Sequence, residues 1–164
     1  MLTIFRHTPA WVFALFAFLL YRGIRSLRPQ TMTPVRMLFL PILFFVWAVL
    51  SVGKELNGSS IAYSAFAAGI ALGGFAGWMI WRNRGTVTFD PATRMVCRPG
   101  SVWTLVLILI GFTAKFILSA SLARNPSFSE VTSFKILFGG ISGIVDGLFW
   151  GGTVAQLWRV KDKR

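Results

Sequence analysis

Five long apolar segments, separated by short loops rich in charged residues, Pro or Gly, constrain this chain more than any other feature of its sequence. Each segment is close to the roughly 20 residues that a helix needs to cross a bilayer. The segments cover about residues 8–24, 35–53, 61–81, 102–122 and 134–158. The sequence therefore predicts an all-α membrane protein, in which residues 1–164 form a single polytopic domain of five transmembrane helices. No small-x-small cleavage site follows the first segment, so we expect it to be retained rather than removed as a signal peptide.

The composition agrees with a fold that is exposed to lipid. Hydrophobic residues make up 55% of the chain, and charged residues make up 13%, about half of the roughly 25% found in soluble domains. Sixteen Phe and seven Trp add to the apolar surface. A soluble fold of 164 residues could not bury this much apolar surface, so lipid must cover part of it.

Lys and Arg are distributed unequally between the two sides of the predicted helices. Twelve fall on one side and four, Arg6, Lys54, Arg124 and Lys135, on the other. Cytoplasmic loops carry an excess of Lys and Arg, so we predict that the N-terminus lies outside and the C-terminus inside a bacterial inner membrane. Eight of the twelve, which we call the basic surface, are Arg22, Arg25, Arg28, Arg36, Arg82, Arg84, Arg94 and Arg98. The other four are Arg159, Lys161, Lys163 and Arg164.

The same distribution decides what the net charge of +12 means. Basic residues in short groups between apolar runs fit a membrane protein, and we expect no nucleic-acid partner. The basic surface is instead expected to attract anionic lipid headgroups on the cytoplasmic side.

The loop between the third and fourth segments is the one loop with a pattern of its own. Residues 85–100 contain two short alternating stretches on either side of Asp90-Pro91-Ala92-Thr93. Asp and Pro favour a turn at these positions, so we predict a small cytoplasmic β-hairpin here. It serves either as a compact connector or as a surface that docks a partner.

Glycines recur every four residues in two of the predicted helices. They are Gly69, Gly73 and Gly77 in the third helix, and Gly139, Gly143, Gly147 and Gly151 in the fifth. This spacing places them on one face, a glycine zipper that lets another backbone approach closely. We expect the third and fifth helices to pack on each other, and a homodimer through one of these faces is the alternative.

Two charges fall inside predicted spans, Lys115 in the fourth and Asp146 in the fifth. A charge at the centre of a bilayer costs about 2.5–3.5 kcal/mol on insertion scales, so neither side chain should face lipid unpaired. Their depths from the outer surface are roughly 12 and 18 Å, at about 1.5 Å per residue. We predict that they meet as a structural ion pair, and a proton or ion relay is the alternative.

The remaining polar residues do not form a recognisable catalytic set. His7 is the only histidine and lies near the N-terminus, and the single Cys97 excludes an internal disulfide. Glu55 and Glu130 are assigned to outer loops, far from each other in sequence. We therefore expect no enzymatic activity, no cofactor and no metal site.

The sequence also resembles a known group of proteins. It resembles an uncharacterised family of small bacterial inner-membrane proteins in four stretches. They are Tyr21-Arg22-Gly23-Ile24-Arg25-Ser26-Leu27-Arg28-Pro29, Leu40-Pro41, Asp90 to Gly100 and Gly139-Gly140-Ile141-Ser142-Gly143. The basic loop followed by a Pro-bearing helix is more distantly similar to CcdC-like proteins, associated by name with cytochrome c biogenesis. The resemblance implies a location and a fold.

These observations favour a non-enzymatic membrane protein that serves as an assembly, accessory or regulatory module of the bacterial envelope. Its partners would be the bilayer, anionic headgroups and another membrane protein or a second copy of the chain. The alternative is a small oligomeric transporter or channel subunit that uses Lys115 and Asp146.

Overall fold

The computed structural model describes residues 10–82, 88–90, 95–98 and 100–162, most of them in helices. The α-helices are α1 Ala10–Arg25, α2 Pro34–Met37, α3 Phe39–Glu55, α4 Ser60–Arg82, α5 Val102–Arg124 and α6 Thr132–Asp162. The strands are β1 Gln30–Met32, β2 Thr88–Asp90 and β3 Met95–Arg98, and a 3₁₀ turn covers Pro126–Ser129.

Within the described residues, four stretches of helix are long and apolar enough to cross a membrane. They are Val35–Glu55, Ser60–Arg82, Val102–Arg124 and Thr132–Arg159, and they coincide with the second to fifth predicted segments. The first predicted segment forms the shorter helix α1, which has 16 residues in the described part of the chain. The prediction of a helical, multi-pass membrane protein is therefore confirmed at the level of four potential spans.

The second of the five predicted segments is interrupted near its start. Pro34 begins α2, where its missing N–H is tolerated, and α2 ends at Met37. The Leu38 N–H donates to the carbonyl of Val35, and α3 follows at Phe39. Because Pro41 has no N–H, it cannot donate a hydrogen bond to the carbonyl of Met37. The regular series of helical hydrogen bonds is therefore interrupted at this point.

The closest packing in the molecule lies between α4 and α6. A Cβ added at Gly69 would lie 2.6 Å from the carbonyl oxygen of Gly140, and one at Gly77 would lie 2.6 Å from that of Leu148. A Cβ at Gly143 would collide with the carbonyl oxygen of Phe66. Backbone therefore meets backbone along the whole interface, as small residues permit in membrane helices.

The other helices pack around this pair through two apolar clusters. One contains Leu19, Phe44, Ile108, Phe112, Val145 and Phe149, from α1, α3, α5 and α6. The other lies at the opposite end of α3, α5 and α6 and at the start of α4, and contains Val52, Leu56, Ala62, Leu118, Leu122 and Phe138. Aromatic rings fill the first cluster, with Phe44 stacked on Phe149 at a centroid distance of 5.0 Å.

A three-stranded antiparallel sheet lies at one end of the bundle, with strand order β1-β3-β2. The pairing of Phe89 with Val96 confirms the antiparallel strands predicted for this loop, whose turn at residues 91–94 lies outside the described residues. The sequence did not predict β1, in which Thr31 pairs with Cys97. The sheet holds together the last turn of α1 and the first turn of α5, where the N–H of Ser101 donates to the carbonyl of Ser26 at 2.8 Å.

Candidate functional site

Lys115 and Asp146 are both buried in the bundle, with 1% and 0% of their surfaces exposed. On α5, Lys115 continues the row of buried residues formed by Ile108, Phe112 and Leu118. The spacing of three and four residues places these side chains on one face of the helix. That face is directed at the other helices, so the charge of Lys115 lies inside the protein and away from lipid.

The two charges do not form the direct ion pair that the sequence predicted. Both residues are described, and neither Nζ of Lys115 nor either carboxylate oxygen of Asp146 has a hydrogen-bond partner. A Cβ on Gly111 would lie 2.6 Å from Cγ1 of Val145, so Gly111 and Val145 lie at the same level. Because the helices are antiparallel, Lys115 and Asp146 are then offset by about 7 Å along the axis.

Lys115 has an aromatic neighbour instead. Its Nζ lies 5.4 Å from the centroid of the Trp47 ring on α3. Such a cation–π contact is worth about 0.5–1 kcal/mol at exposed sites and about 2 kcal/mol when both groups are desolvated. The carboxylate of Asp146 has the strongest electrostatic interaction with the charge of Lys115, and the carboxylate of Glu55 has the second strongest.

Glu55 is the residue of this site that the sequence analysis placed wrongly. It was assigned to an outer loop, but it is the last residue of α3 and is partly buried. The hydroxyl of Ser119 donates to Oε1 of Glu55 at 3.1 Å. Ser119 follows Lys115 by one helical turn, so this bond brings the carboxylate to the face of α5 that carries Lys115. No local pattern in the sequence pairs Glu55 with Ser119, because the contact depends on how the ends of α3 and α5 pack against each other.

We define Glu55, Lys115, Ser119, Ser142 and Asp146 as the buried polar cluster. Ser142 precedes Asp146 by one turn on the same face of α6, and it is 0% exposed. Five atoms of the cluster are buried without a hydrogen-bond partner: Glu55 Oε2, Lys115 Nζ, Ser142 Oγ and both carboxylate oxygens of Asp146. An unpartnered polar group costs about 1–3 kcal/mol in a protein interior, so atoms of this kind are well suited to bind water, a proton or a small cation.

An apolar layer separates this cluster from the end of the bundle that carries the sheet. Phe149 lies one turn beyond Asp146 on α6 and stacks on Phe44. Beyond it is a cavity of about 40 Å³ lined by Thr104, Thr153, Gln156 and apolar side chains. Oε1 of Gln156 is buried and has no hydrogen-bond partner in the structure. The cavity and the buried polar cluster are therefore two separate polar regions along the bundle axis.

The seven glycines singled out by the sequence lie in the interface between α4 and α6. Neighbouring backbone atoms lie within 3.1 Å of the position of an added Cβ at each of them. Their faces are therefore covered within the protein, and a second copy of the chain cannot dock on them. A homodimer through these glycines, the alternative considered above, is incompatible with this packing.

Part of the basic surface can be located. The described side chains Arg22, Arg25, Arg28, Arg36 and Arg82 are found at the end of the bundle that carries the sheet. Arg84, Arg94, the side chain of Arg98 and His7 lie outside the described residues. Cys97 is a partly buried free thiol in β3. Within the described ranges, no group of three His, Cys, Asp or Glu residues is arranged to hold a metal ion.

The whole chain, residues 1–164, matches the family described as a family of unknown function (DUF6622), and the chain belongs to this family. No curated protein matches the chain. No solved structure matches it either. The comparisons show no link to the CcdC-like proteins that the basic loop and the Pro-bearing helix suggested.

Proposed function

We propose that this member of DUF6622 is a five-span protein of the bacterial inner membrane, with its N-terminus outside and its C-terminus in the cytoplasm. The distribution of Lys and Arg carries this orientation. The structure supports it, because Arg22 and Arg36 lie at the end of the bundle where the sheet joins α1 to α5. The fifth span would contain α1.

We further propose that the protein is a non-enzymatic accessory or regulatory module, and that the buried polar cluster is its responsive element. Glu55, Lys115 and Asp146 lie on three different helices, and the two carboxylates are the acidic groups that act on Lys115. A change of charge at one of them therefore changes the forces between α3, α5 and α6. In a medium of low dielectric constant such a change is large compared with the same change in water.

One observation favours regulation over conduction. Phe149 and Phe44 close the bundle between Asp146 and the cavity at Gln156. A proton or ion path needs polar groups or water in succession, and this stacked aromatic pair interrupts it. A cluster that binds a proton or a cation without passing it on can change the packing of the helices, which is what a regulatory module requires.

Hydrogen–deuterium exchange in lipid nanodiscs tests this proposal. We expect the protection factors of α5 and α6 around Lys115 and Asp146, corrected for the pH dependence of intrinsic exchange, to differ between acidic and neutral pH in the wild type. The difference should disappear in Asp146→Asn and persist in Glu130→Gln, a matched control in which an exposed carboxylate is neutralised. Protection factors that do not change with pH in the wild type would rule out this role for the cluster.

A small transporter or channel subunit is the second candidate, and the unpartnered atoms of the cluster favour it. Ionisable residues inside a membrane protein commonly mark proton or ion pathways. Proteoliposomes with an internal pH-sensitive dye and an imposed potential separate the two candidates. Proton flux above that of empty liposomes, lost in Asp146→Asn and in Lys115→Met, would establish transport. The regulatory proposal expects no flux above this background.

A further inference from the structure

The end of the bundle that carries the sheet has a cluster of three guanidinium groups. Arg22 and Arg25 lie in the last turn of α1, and Arg36 lies in α2. The charges of Arg36 and Arg25 both repel the charge of Arg22. Neighbouring like charges repel one another, and an anion bound between them offsets this repulsion.

Two of these side chains, those of Arg22 and Arg25, each donate one hydrogen bond that leaves most of their donors free. Nη2 of Arg22 donates to the backbone carbonyl of Arg36 at 3.3 Å, which ties α1 to α2. Nη1 of Arg25 donates to the hydroxyl of Tyr21 at 3.4 Å. A guanidinium group has five N–H donors in a planar fork, a geometry that matches the oxygens of a phosphate.

An aromatic pair lies directly beside the guanidinium cluster. The ring of Phe39 is centred 4.8 Å from Cζ of Arg22. It meets the ring of Phe18 edge to face, at a centroid distance of 6.1 Å. Phe18 and Phe39 are 41% and 44% exposed, so the pair forms an uncovered apolar face on α1 and α3. An anion site that adjoins such a face suits a ligand with a charged head and an apolar tail.

We propose that Arg22, Arg25 and Arg36, with Phe18 and Phe39, form a binding site for an anionic phospholipid. The guanidinium groups bind its phosphate, and an acyl chain covers the aromatic pair. A free phosphate ion would satisfy the charges but would leave both rings uncovered, so the lipid is the better match. The site spans α1, α2 and α3, and a bound lipid therefore holds α1 against the rest of the bundle. Its assignment to the cytoplasmic leaflet rests on the proposed orientation, whereas lipid binding itself does not.

Lipid titration of the purified protein in detergent, followed by native mass spectrometry, tests the site. Wild type and variants are titrated with phosphatidylglycerol and, in parallel, with phosphatidylcholine. The site variant is the double change Arg22→Gln with Arg36→Gln. The matched control is Arg28→Gln with Arg82→Gln, which removes the same charge from two exposed arginines at the same end of the bundle.

Diffuse electrostatic attraction contributes about a fivefold factor per basic residue to the affinity for anionic lipid. If this were the only interaction, both double variants would lose the same affinity. We expect the site variant to lose phosphatidylglycerol affinity at least about tenfold more than the control. Equal losses in the two variants would overturn the proposal. If the double site variant does not fold, the single changes Arg25→Gln and Arg28→Gln replace the two double variants. Both side chains are exposed, and Arg25→Gln should lose more phosphatidylglycerol affinity than Arg28→Gln.

A second arm distinguishes the lipid from free phosphate. Phe39→Ala should weaken binding of phosphatidylglycerol and leave the arginines in place. Inorganic phosphate at millimolar concentration should not displace the lipid. If inorganic phosphate displaced it fully, or if Phe39→Ala bound the lipid like the wild type, the site would be an anion site without a lipid contact and the proposal would be wrong.

Discussion

The interface between α4 and α6 gives the sharpest prediction of stability. A Cβ added at Gly147 would lie 2.5 Å from the carbonyl oxygen of Ile70 and 2.6 Å from the amide nitrogen of Gly74. An ordinary contact begins near 3.4 Å, so Gly147→Ala requires the two backbones to move apart by about 0.9 Å at this point. Overpacking of this kind costs about 1–3 kcal/mol in a well-packed core.

Gly140 provides the matched control on the same helix. A Cβ added there meets nothing within 4 Å. Because Ala is the better helix former by up to about 1 kcal/mol, Gly140→Ala should leave the free energy of unfolding unchanged or raise it. Gly147→Ala should lower the same quantity by about 1–3 kcal/mol. Titration with a denaturing detergent in mixed micelles, monitored by circular dichroism, measures both. If Gly147→Ala were as stable as Gly140→Ala, the close approach of α4 and α6 would be refuted.

Two further predictions concern the orientation and the outer end of the buried polar cluster. Cysteines introduced at Asn57 or Ser127 in a Cys97→Ser background should react with an impermeant thiol reagent added to intact cells. Cys97 in the wild type should not react. Labelling of Cys97 in sealed cells would contradict the proposed orientation. Ser119→Ala removes the hydrogen bond to the partly buried Glu55. We expect it to lower the free energy of unfolding in nanodiscs by about 1–3 kcal/mol. An unchanged free energy of unfolding would mean that water replaces the hydroxyl without cost.

The features that the sequence predicted depend on local spacing. Apolar segments of about 20 residues predict where the long helices lie, because the thickness of the bilayer fixes the length that they need. The four-residue spacing of Gly69 and Gly73, and of Gly143 and Gly147, likewise defines a face of each helix without knowledge of its partner. The turn residues around Asp90 indicated the pairing of β2 with β3 for the same reason.

The features that it missed depend on how the elements meet. Gln30–Met32 is too short to carry a strand signal, and it pairs with β3 only because the bundle brings the two loops together. The length of the lysine side chain predicts a contact between Lys115 and Asp146, but no hydrogen bond joins them, because side-chain conformation inside the bundle is not encoded in helix spacing. Glu55 joins the site because α3 and α5 end side by side, a property of packing that no local pattern records.

We propose that the charges of Lys115 and Asp146 attract each other inside the bundle, although no hydrogen bond joins the two side chains. A double-mutant cycle with Lys115→Met, Asp146→Leu and the double variant, measured as free energies of unfolding in nanodiscs, tests this most directly. Residues in one buried network of charges typically show interaction energies of about 0.5–3 kcal/mol in such cycles. We therefore predict that the double variant is more stable than the sum of the single effects by an energy in this range. Additivity within about 0.5 kcal/mol would contradict the account, because each charge would then be compensated elsewhere.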